Sequence, residues 1–155
     1  MQNPAPFTGE KYIQTKVEPP KKYDAGSNRP IQVLVADDEE DLLEIYYRAL
    51  VDNGFEVIRA QTGNEAVSRF IESRPEVIIL DYRMPRGNGL EAAGEILAMK
   101  PSAKIIMLTA DGTVLEEAER IGIELFLEKP ISLKRLLQSV YTLVNLKSTS
   151  AVVSR

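Results

Sequence analysis

Five residues of this chain have side chains suited to phosphate chemistry, and each ends or follows a short hydrophobic run. They are the carboxylates Asp37, Asp38 and Asp81, the ammonium of Lys129 and the hydroxyl of Thr109. Carboxylate oxygens suit magnesium, calcium or manganese, whereas zinc or copper would call for sulfur or imidazole. A lysine offers a compact positive charge to a phosphoryl oxygen, and a threonine hydroxyl can donate to another. These residues therefore predict a site that binds a divalent metal and takes up a phosphoryl group.

The acidic pair Asp37-Asp38 also has a simpler interpretation. Residues 39–41 are acidic as well, and the helix dipole favours acidic residues at the start of a helix. Adjacent carboxylates nevertheless repel each other, so the pKa of one rises unless a cation compensates. Asp81 follows four apolar residues and is harder to explain as a surface residue. The pair alone is a weak signal, and Asp81 strengthens it.

The elements that must position these residues follow a regular pattern. Strands are predicted at 31–36, 55–60, 77–80, 104–108 and 123–128, and helices at about 39–52, 63–74, 90–99, 113–121 and 133–147. This strict alternation predicts an α/β fold with a five-stranded parallel sheet, right-handed crossovers and helices on both faces. The carboxyl ends of parallel strands meet at one edge, where ligands bind, so the charged residues are expected to converge there.

The sequences of the first two helices predict a helix cap and the side chains that face the core. Thr62 is placed to cap the second helix, with Glu65 three residues later to complete a capping box. Apolar side chains are expected to face inward at helical spacing. These are Leu42, Leu43, Ile45, Tyr46, Ala49 and Leu50 on the first helix, and Ala66, Val67, Phe70 and Ile71 on the second.

Composition excludes several kinds of chemistry. The 155 residues include no cysteine and no histidine, which excludes disulfides, thiolate sites and histidine-based acid–base catalysis. Any phosphohistidine donor must then be another protein or domain. The hydrophobic content of 44% is typical of a globular α/β protein, and no run reaches the ~20 apolar residues of a membrane span. We expect a cytoplasmic protein without a membrane partner.

Charge and proline content divide the chain. Residues 1–30 carry five Lys or Arg and three Asp or Glu, whereas residues 31–147 carry thirteen and twenty. An acidic core is a poor starting point for nucleic-acid binding, which needs clustered positive charge, so no direct nucleic-acid partner is expected. We predict a flexible Pro/Lys-containing N-terminal extension over 1–30, one domain over 31–147 and a frayed tail over 148–155.

The order of the motifs resembles a known family. The motifs are Asp37-Asp38, Asp81-x-x-Met84-Pro85, Thr109-Ala110 and Lys129-Pro130. In this order, at the predicted strand ends, they resemble the receiver domain of two-component response regulators. The resemblance covers residues 31 to about 147, and it implies a flavodoxin-like doubly wound (βα)5 fold with strand order 2-1-3-4-5. With no output domain recognised after the core, we expect a stand-alone regulator of the chemotaxis or phosphorelay kind.

The resemblance also implies roles for the site residues. Asp81 would accept a phosphoryl group from the phosphohistidine of a sensor kinase or a histidine phosphotransfer protein. Asp38, Asp81 and the backbone carbonyl of Arg83 would bind Mg²⁺ directly, and Asp37 mainly through water. Lys129 would pair with the phosphate. The chain would catalyse its own phosphorylation and dephosphorylation, and it is not expected to turn over an external substrate.

A conformational switch is implied as well. Thr109 would turn inward to bond the phosphoryl group, and Phe126 would rotate into the vacated space. An ordinary core position is the other interpretation of Phe126. The face formed by helix 4, strand 5 and helix 5 would report the change to a downstream protein, with the chain a monomer or weak dimer.

The mouth of the pocket is expected to contain Arg83, Met84 and Asp111. In the family, the positions of Arg83 and Asp111 vary and set the lifetime of the acyl phosphate. Their opposite charges here suggest that the two side chains pair over the phosphate and slow the entry of hydrolytic water.

Other functional classes remain as alternatives. A pseudo-receiver would act as a binding module without phosphate, which the complete acidic set and Lys129 disfavour. An Asp-nucleophile phosphohydrolase would show Asp-x-Asp-x-Thr after the first strand, and flavodoxin would show a Ser/Thr/Gly-rich loop. The chain has five acidic residues there, at 37–41, which disfavours both.

Overall fold

The computed structural model describes residues 29–123 and 125–153, the last eight of them (146–153) by backbone alone. Five strands and five α-helices alternate along this range. They are β1 (Gln32–Ala36), α1 (Glu40–Asp52), β2 (Glu56–Ala60), α2 (Gly63–Ser73), β3 (Val77–Asp81), α3 (Gly89–Met99), β4 (Lys104–Thr109), α4 (Leu115–Ile121), β5 (Leu125–Glu128) and α5 (Leu133–Val153). A 3-10 turn over Gly112–Val114 precedes α4.

The strands form one parallel sheet in the order β2-β1-β3-β4-β5, which confirms the predicted fold class and strand order. Ala36, Leu80, Met107 and Phe126 lie in one row across four neighbouring strands. Asp37 and Asp81 each come one residue beyond this row, so the register alone places them side by side at the carboxyl edge.

The two faces of the sheet carry separate halves of the core. Leu34, Ile78 and Leu80 pack with the buried side chains of α2 and α3, whereas Val33 and Ile79 pack with those of α1 and α5. Strand β3 is buried at all of its residues because helices cover both of its faces. This explains why the run before Asp81 is apolar without alternation.

Side chains cap the starts of α2 and α5, and the cap of α2 is the one that the sequence predicts. The amide of Glu65 donates to Thr62 Oγ1 at 3.0 Å, and the amide of Arg135 donates to Ser132 Oγ at 3.2 Å. The carboxylate of Glu65 turns back as a capping box requires, but it accepts from the amide of Gln61, at 2.9 Å, instead of that of Thr62.

Two expected core residues and the ends of three elements differ from the sequence predictions: β5 and α4 each begin two residues later than predicted, and α5 ends later. Ile45 and Ile71 are 46% and 52% exposed, because the buried stripes of α1 and α2 are narrower than the apolar stripes in the sequence. Helix α5 runs to Val153, beyond the predicted end at Lys147, because residues 148–153 contain neither glycine nor proline to end it. Whether residues 148–155 fray remains a prediction.

The chain enters the described range at the amino edge of the sheet. Arg29 forms an ion pair of 3.6 Å with Glu76, and the amide of Gln32 donates to the same carboxylate at 2.7 Å. Of the predicted extension, residues 1–28 lie outside the described residues. No helix in the described part of the chain combines the length and apolar character that crossing a bilayer requires.

Candidate functional site

The carboxyl edge of the sheet brings three of the predicted site carboxylates together. One carboxylate oxygen from each of Asp37, Asp38 and Asp81 lies within 4.8 Å of the others. Asp37 is fully buried, Asp81 is nearly so, and Asp38 is exposed. The cluster thus has a buried side and a side open to solvent.

Lys129 closes the buried side of this cluster from β5. Its Nζ donates to Asp37 Oδ2 at 2.9 Å and lies 3.1 Å from Asp81 Oδ1. The backbone amide of Lys129 donates to the carbonyl of Thr109 at 2.9 Å, so β4 holds the lysine at the sheet edge. The peptide bond from Lys129 to Pro130 is cis. One ammonium therefore bridges two carboxylates that come from different strands.

Both carboxylate oxygens of Asp37 are engaged within the protein. Oδ2 accepts from Lys129, and Oδ1 accepts from the amide of Glu39 at 2.9 Å. A fully buried carboxylate is tolerated when its oxygens are satisfied in this way. Asp37 is therefore better placed to orient Lys129 than to offer an open oxygen to an incoming group.

The electrostatics of the site favour an added cation. Burial raises the pKa of Asp81 to about 6, the charge of Asp37 adds to the rise, and Lys129 opposes it. Burial alone would lower the pKa of Lys129, but the hydrogen bond to Asp37 and the charge of Asp81 raise it overall. One ammonium faces three carboxylates, so the cluster retains net negative charge. Hard oxygen ligands at this spacing fit Mg²⁺, which neutralises such a cluster when bound.

An open cleft of about 600 Å³ leads to the cluster. It is lined by Asp38, Tyr82, Arg83, Met84, Pro85, Asn88 and Asp111. Arg83 and Asp111 face each other with 3.8 Å between a guanidinium nitrogen and a carboxylate oxygen, although Arg83 is 79% exposed. The three residues predicted for the pocket mouth are thus all in the cleft, with the arginine and the aspartate paired.

The two predicted switch residues are both buried. The Thr109 hydroxyl accepts from the amide of Asp111 at 2.9 Å and donates to the carbonyl of Asp111 at 3.1 Å. The carboxylate of Asp111 accepts from the amide and hydroxyl of Thr113, and these bonds lower its pKa. Phe126 is 4% exposed and belongs to the core on the α2 and α3 side of the sheet. In this conformation the aromatic ring already lies inward, and its rotation remains a prediction.

The sequence predictions missed three of the residues that line the cleft. Tyr82, Pro85 and Asn88 belong to the same loop as Arg83 and Met84, so their position directly after Asp81 was the available signal. Asn88 also caps α3, because its Oδ1 accepts from the amide of Glu91 at 2.8 Å. The asparagine three residues before a glutamate was a second signal for that cap.

Comparison with known proteins identifies similar chains. A family model described as the response regulator receiver domain matches residues 33–141. The chemotaxis protein CheY of Listeria monocytogenes is 34% identical over 113 residues, which cover 71% of this chain and 95% of the relative. The response regulator MprA of Mycolicibacterium vanbaalenii is 34% identical over 117 residues. That match covers 74% of this chain but 51% of MprA, so the chain spans about half the length of that relative.

A solved structure has a similar fold. The response regulator receiver domain protein of Clostridium thermocellum superimposes with a TM-score of 0.72 at 29% identity. The match covers 77% of this chain and 98% of the other.

Proposed function

The chain belongs to the response regulator receiver domain family and is a phosphorylation-dependent switch of two-component signalling, and on this basis we propose that Asp81 is its phosphoacceptor. The observation that carries the proposal is the position of Asp81 at the end of the buried central strand. There it lies 3.1 Å from Lys129 and in one cluster with Asp37 and Asp38. Neither the comparisons nor the geometry favours the pseudo-receiver alternative.

The proposed reaction is a phosphoryl transfer to a carboxylate. An oxygen of Asp81 attacks the phosphorus of a phosphohistidine that is protonated on its other ring nitrogen. The P–O bond forms as the P–N bond breaks, the P–N electron pair returns to nitrogen, and neutral imidazole leaves. Because the chain has no histidine, the donor is another protein or domain, that of a sensor histidine kinase or a histidine phosphotransfer protein.

Lys129 and Asp37 act on the transferred group together. Lys129 offers its positive charge to a phosphoryl oxygen, while its 2.9 Å hydrogen bond to Asp37 keeps the ammonium directed at the site. Thr109 offers its hydroxyl to another phosphoryl oxygen after exchanging its present bonds to Asp111. Positioning and electrostatics of this kind account for most of the catalysis of phosphoryl transfer.

Receiver domains generally bind Mg²⁺ at an acidic pocket, and we assign that role to this cluster. Asp38, Asp81 and the backbone carbonyl of Arg83 would hold the ion directly. Asp37 would hold it through water, which agrees with the engagement of both its oxygens. When bound, Mg²⁺ neutralises negative charge on the carboxylates and the phosphoryl oxygens.

The phosphorylated state is proposed to act by protein contact. Receiver domains interact with histidine kinases and other proteins. Here the face formed by α4, β5 and α5 would meet the downstream partner after Thr109 and Phe126 change position. We propose a cytoplasmic monomer or weak dimer that contacts neither nucleic acid nor membrane directly.

The decisive test compares two aspartate variants. Acetyl phosphate and Mg²⁺ should add the mass of one phosphoryl group to the unaltered chain and to Asp41→Asn, which changes an exposed aspartate in α1. Asp81→Asn should show no added mass under the same conditions. If the unaltered chain gains no mass and shows no spectral change on addition of beryllofluoride, the pseudo-receiver alternative is favoured. If Asp81→Asn is phosphorylated, the phosphoacceptor is a residue other than Asp81.

A further inference from the structure

The loop that follows Asp81 is packed against the first turn of α2. Residues 82–88, which connect β3 to α3, are called the mouth loop below because they carry most of the cleft lining. The amide of Asn64 in α2 donates to the carbonyl of Arg86 at 3.1 Å. A Cβ on Gly63 would overlap the carbonyl of Gly87. Position 63 therefore accepts only glycine unless one of the two backbones moves.

The mouth loop is fixed at its other end as well. The amide of Gly89 donates to the carbonyl of Tyr82 at 2.9 Å, and a Cβ on Gly89 would overlap the carbonyl of Asp81. At the contact with α2, Arg86 has a φ of 52° and Gly87 a φ of 87°. A left-handed conformation is unfavourable for arginine, so contacts outside the residue must hold it there.

Helix α2 is a firm support for this contact. Its first turn is capped by Thr62, and Glu65 turns back to bond the amide of Gln61. Farther along, Ala66 and Phe70 are fully buried against the sheet. If position 63 gained a side chain, the mouth loop, in which Met84 alone is buried, would move more readily than the helix.

We propose that Gly63 is a positioning residue for phosphoryl transfer: its contact with Gly87 sets the place of the mouth loop and so of Arg83. Gly63 is not itself in the carboxylate cluster and acts through the loop. The inference rests on the proposed function, because the carbonyl of Arg83 matters only if the site takes up Mg²⁺. Arg83 and Met84 lie between the two fixed ends, so a displaced Gly87 carries the cleft lining with it.

The test is Gly63→Ala, with Gly94→Ala as the matched control. Gly94 lies within α3, and a Cβ there would meet no heavy atom within 4 Å. Two quantities are measured for each folded variant: Mn²⁺ binding without a phosphodonor, by the electron paramagnetic resonance of free Mn²⁺, and the Mg²⁺ concentration for half-maximal phosphorylation by acetyl phosphate. In Gly63→Ala we expect the metal affinity to fall about tenfold and the Mg²⁺ requirement to rise in parallel, as for other residues that orient metal ligands. The rate at saturating Mg²⁺ should change much less.

The outcomes separate this inference from the proposed function. If the unaltered chain takes up no phosphoryl group, the proposed function fails whatever the variants do. If it is phosphorylated and Gly63→Ala binds Mn²⁺ like Gly94→Ala, the inference is overturned. If Gly63→Ala does not fold, Gly87→Ala tests the inference in its place. This variant strains the same contact from the mouth loop, because a Cβ on Gly87 would lie 2.8 Å from Asn64 Oδ1. Unchanged Mn²⁺ affinity in that variant would also overturn the inference.

Discussion

The proposed phosphoacceptor is held in an environment that opposes its own ionisation. Asp81 is buried beside Asp37, and its pKa is raised to about 6 although Lys129 lies 3.1 Å away. The ionised form therefore carries a cost in the folded protein that it does not carry in the unfolded chain. Any group that brings positive charge to the open side of the cluster therefore stabilises the ionised form of this carboxylate.

The raised pKa predicts a pH-dependent stability difference for Asp81→Asn. A group whose pKa is raised on folding contributes stability below its unfolded value, and that contribution is lost as the pH rises through the folded value. Without divalent cations, Asp81→Asn should be more stable than the unaltered chain at pH 7.5, by up to about 3 kcal/mol, with the difference closing toward pH 4. Urea unfolding across this pH range measures the difference in the free energy of unfolding.

The control is Asp41→Asn, which should show no gain in stability, since an acidic side chain in the first helical turn is favourable. A gain in the stability of Asp81→Asn that is independent of pH would contradict the prediction.

At the pocket mouth, Arg83→Ala is predicted to shorten the life of the phosphorylated state. The arginine and Asp111 face each other across the cleft at 3.8 Å and would hinder hydrolytic water. Exposed pairs are worth ~0–1 kcal/mol, so the hydrolysis rate should rise by no more than about fivefold. The decay of phosphorylated protein measures this rate, and Arg48→Ala, which removes an exposed arginine paired with Glu44 in α1, is the control. An unchanged or slower decay in Arg83→Ala would show that the pair does not slow hydrolysis.

At the scale of elements, β4 and β5 connect the site to the proposed output face. Thr109 ends β4 and bonds the backbone of Asp111, whose side chain in turn caps the turn before α4. Lys129 follows β5, and its amide bonds the carbonyl of Thr109. A movement of the Thr109 hydroxyl toward a phosphoryl oxygen would break its bonds to Asp111 and so disturb the turn before α4.

This connection predicts different results for two substitutions of Thr109. Thr109→Val keeps the shape but removes the hydroxyl, so beryllofluoride should still bind while its effect on amide NMR signals stays near the cleft. Thr109→Ser keeps the hydroxyl and should let the change spread to α4, β5 and α5. Heteronuclear NMR spectra with and without beryllofluoride distinguish the two. Equal spread in both variants would mean that the hydroxyl does not transmit the signal.

Elements that depend on local pattern were predictable from the sequence. The apolar run before Asp81 indicated a central strand, and the parallel topology required Asp37 and Asp81 to meet at one edge. Contacts between distant segments were not predictable in the same way. The packing of Gly63 on Gly87 depends on how the start of α2 and the mouth loop are placed relative to each other. The exposure of Ile45 depends on how α1 is rotated about its axis against the sheet.

For the whole molecule, the acidic cluster predicts a stability that depends on divalent cations. A ligand that binds only the folded state stabilises it by RT ln(1 + [L]/Kd), or about 2.7 kcal/mol at a hundredfold excess over Kd. Urea unfolding in MgCl2 should show this gain over NaCl of equal ionic strength. Asp38→Asn should lose most of the gain while changing the metal-free stability little, because Asp38 is exposed. A full gain in Asp38→Asn would place the bound ion elsewhere on the protein.

The entry of the chain at Arg29 has a practical consequence. Arg29 pairs with Glu76 at the amino edge of the sheet, whereas Asp81 ends the five-residue strand β3 at the opposite edge. At about 3.3 Å per residue, roughly 16 Å of strand separates the two edges. Coupling the protein to a sensor chip through Arg29→Cys, which would introduce its one cysteine, should leave the cleft oriented toward the flowing solution. Kinases and downstream proteins can then be assayed on one surface without a tether beside the carboxylates.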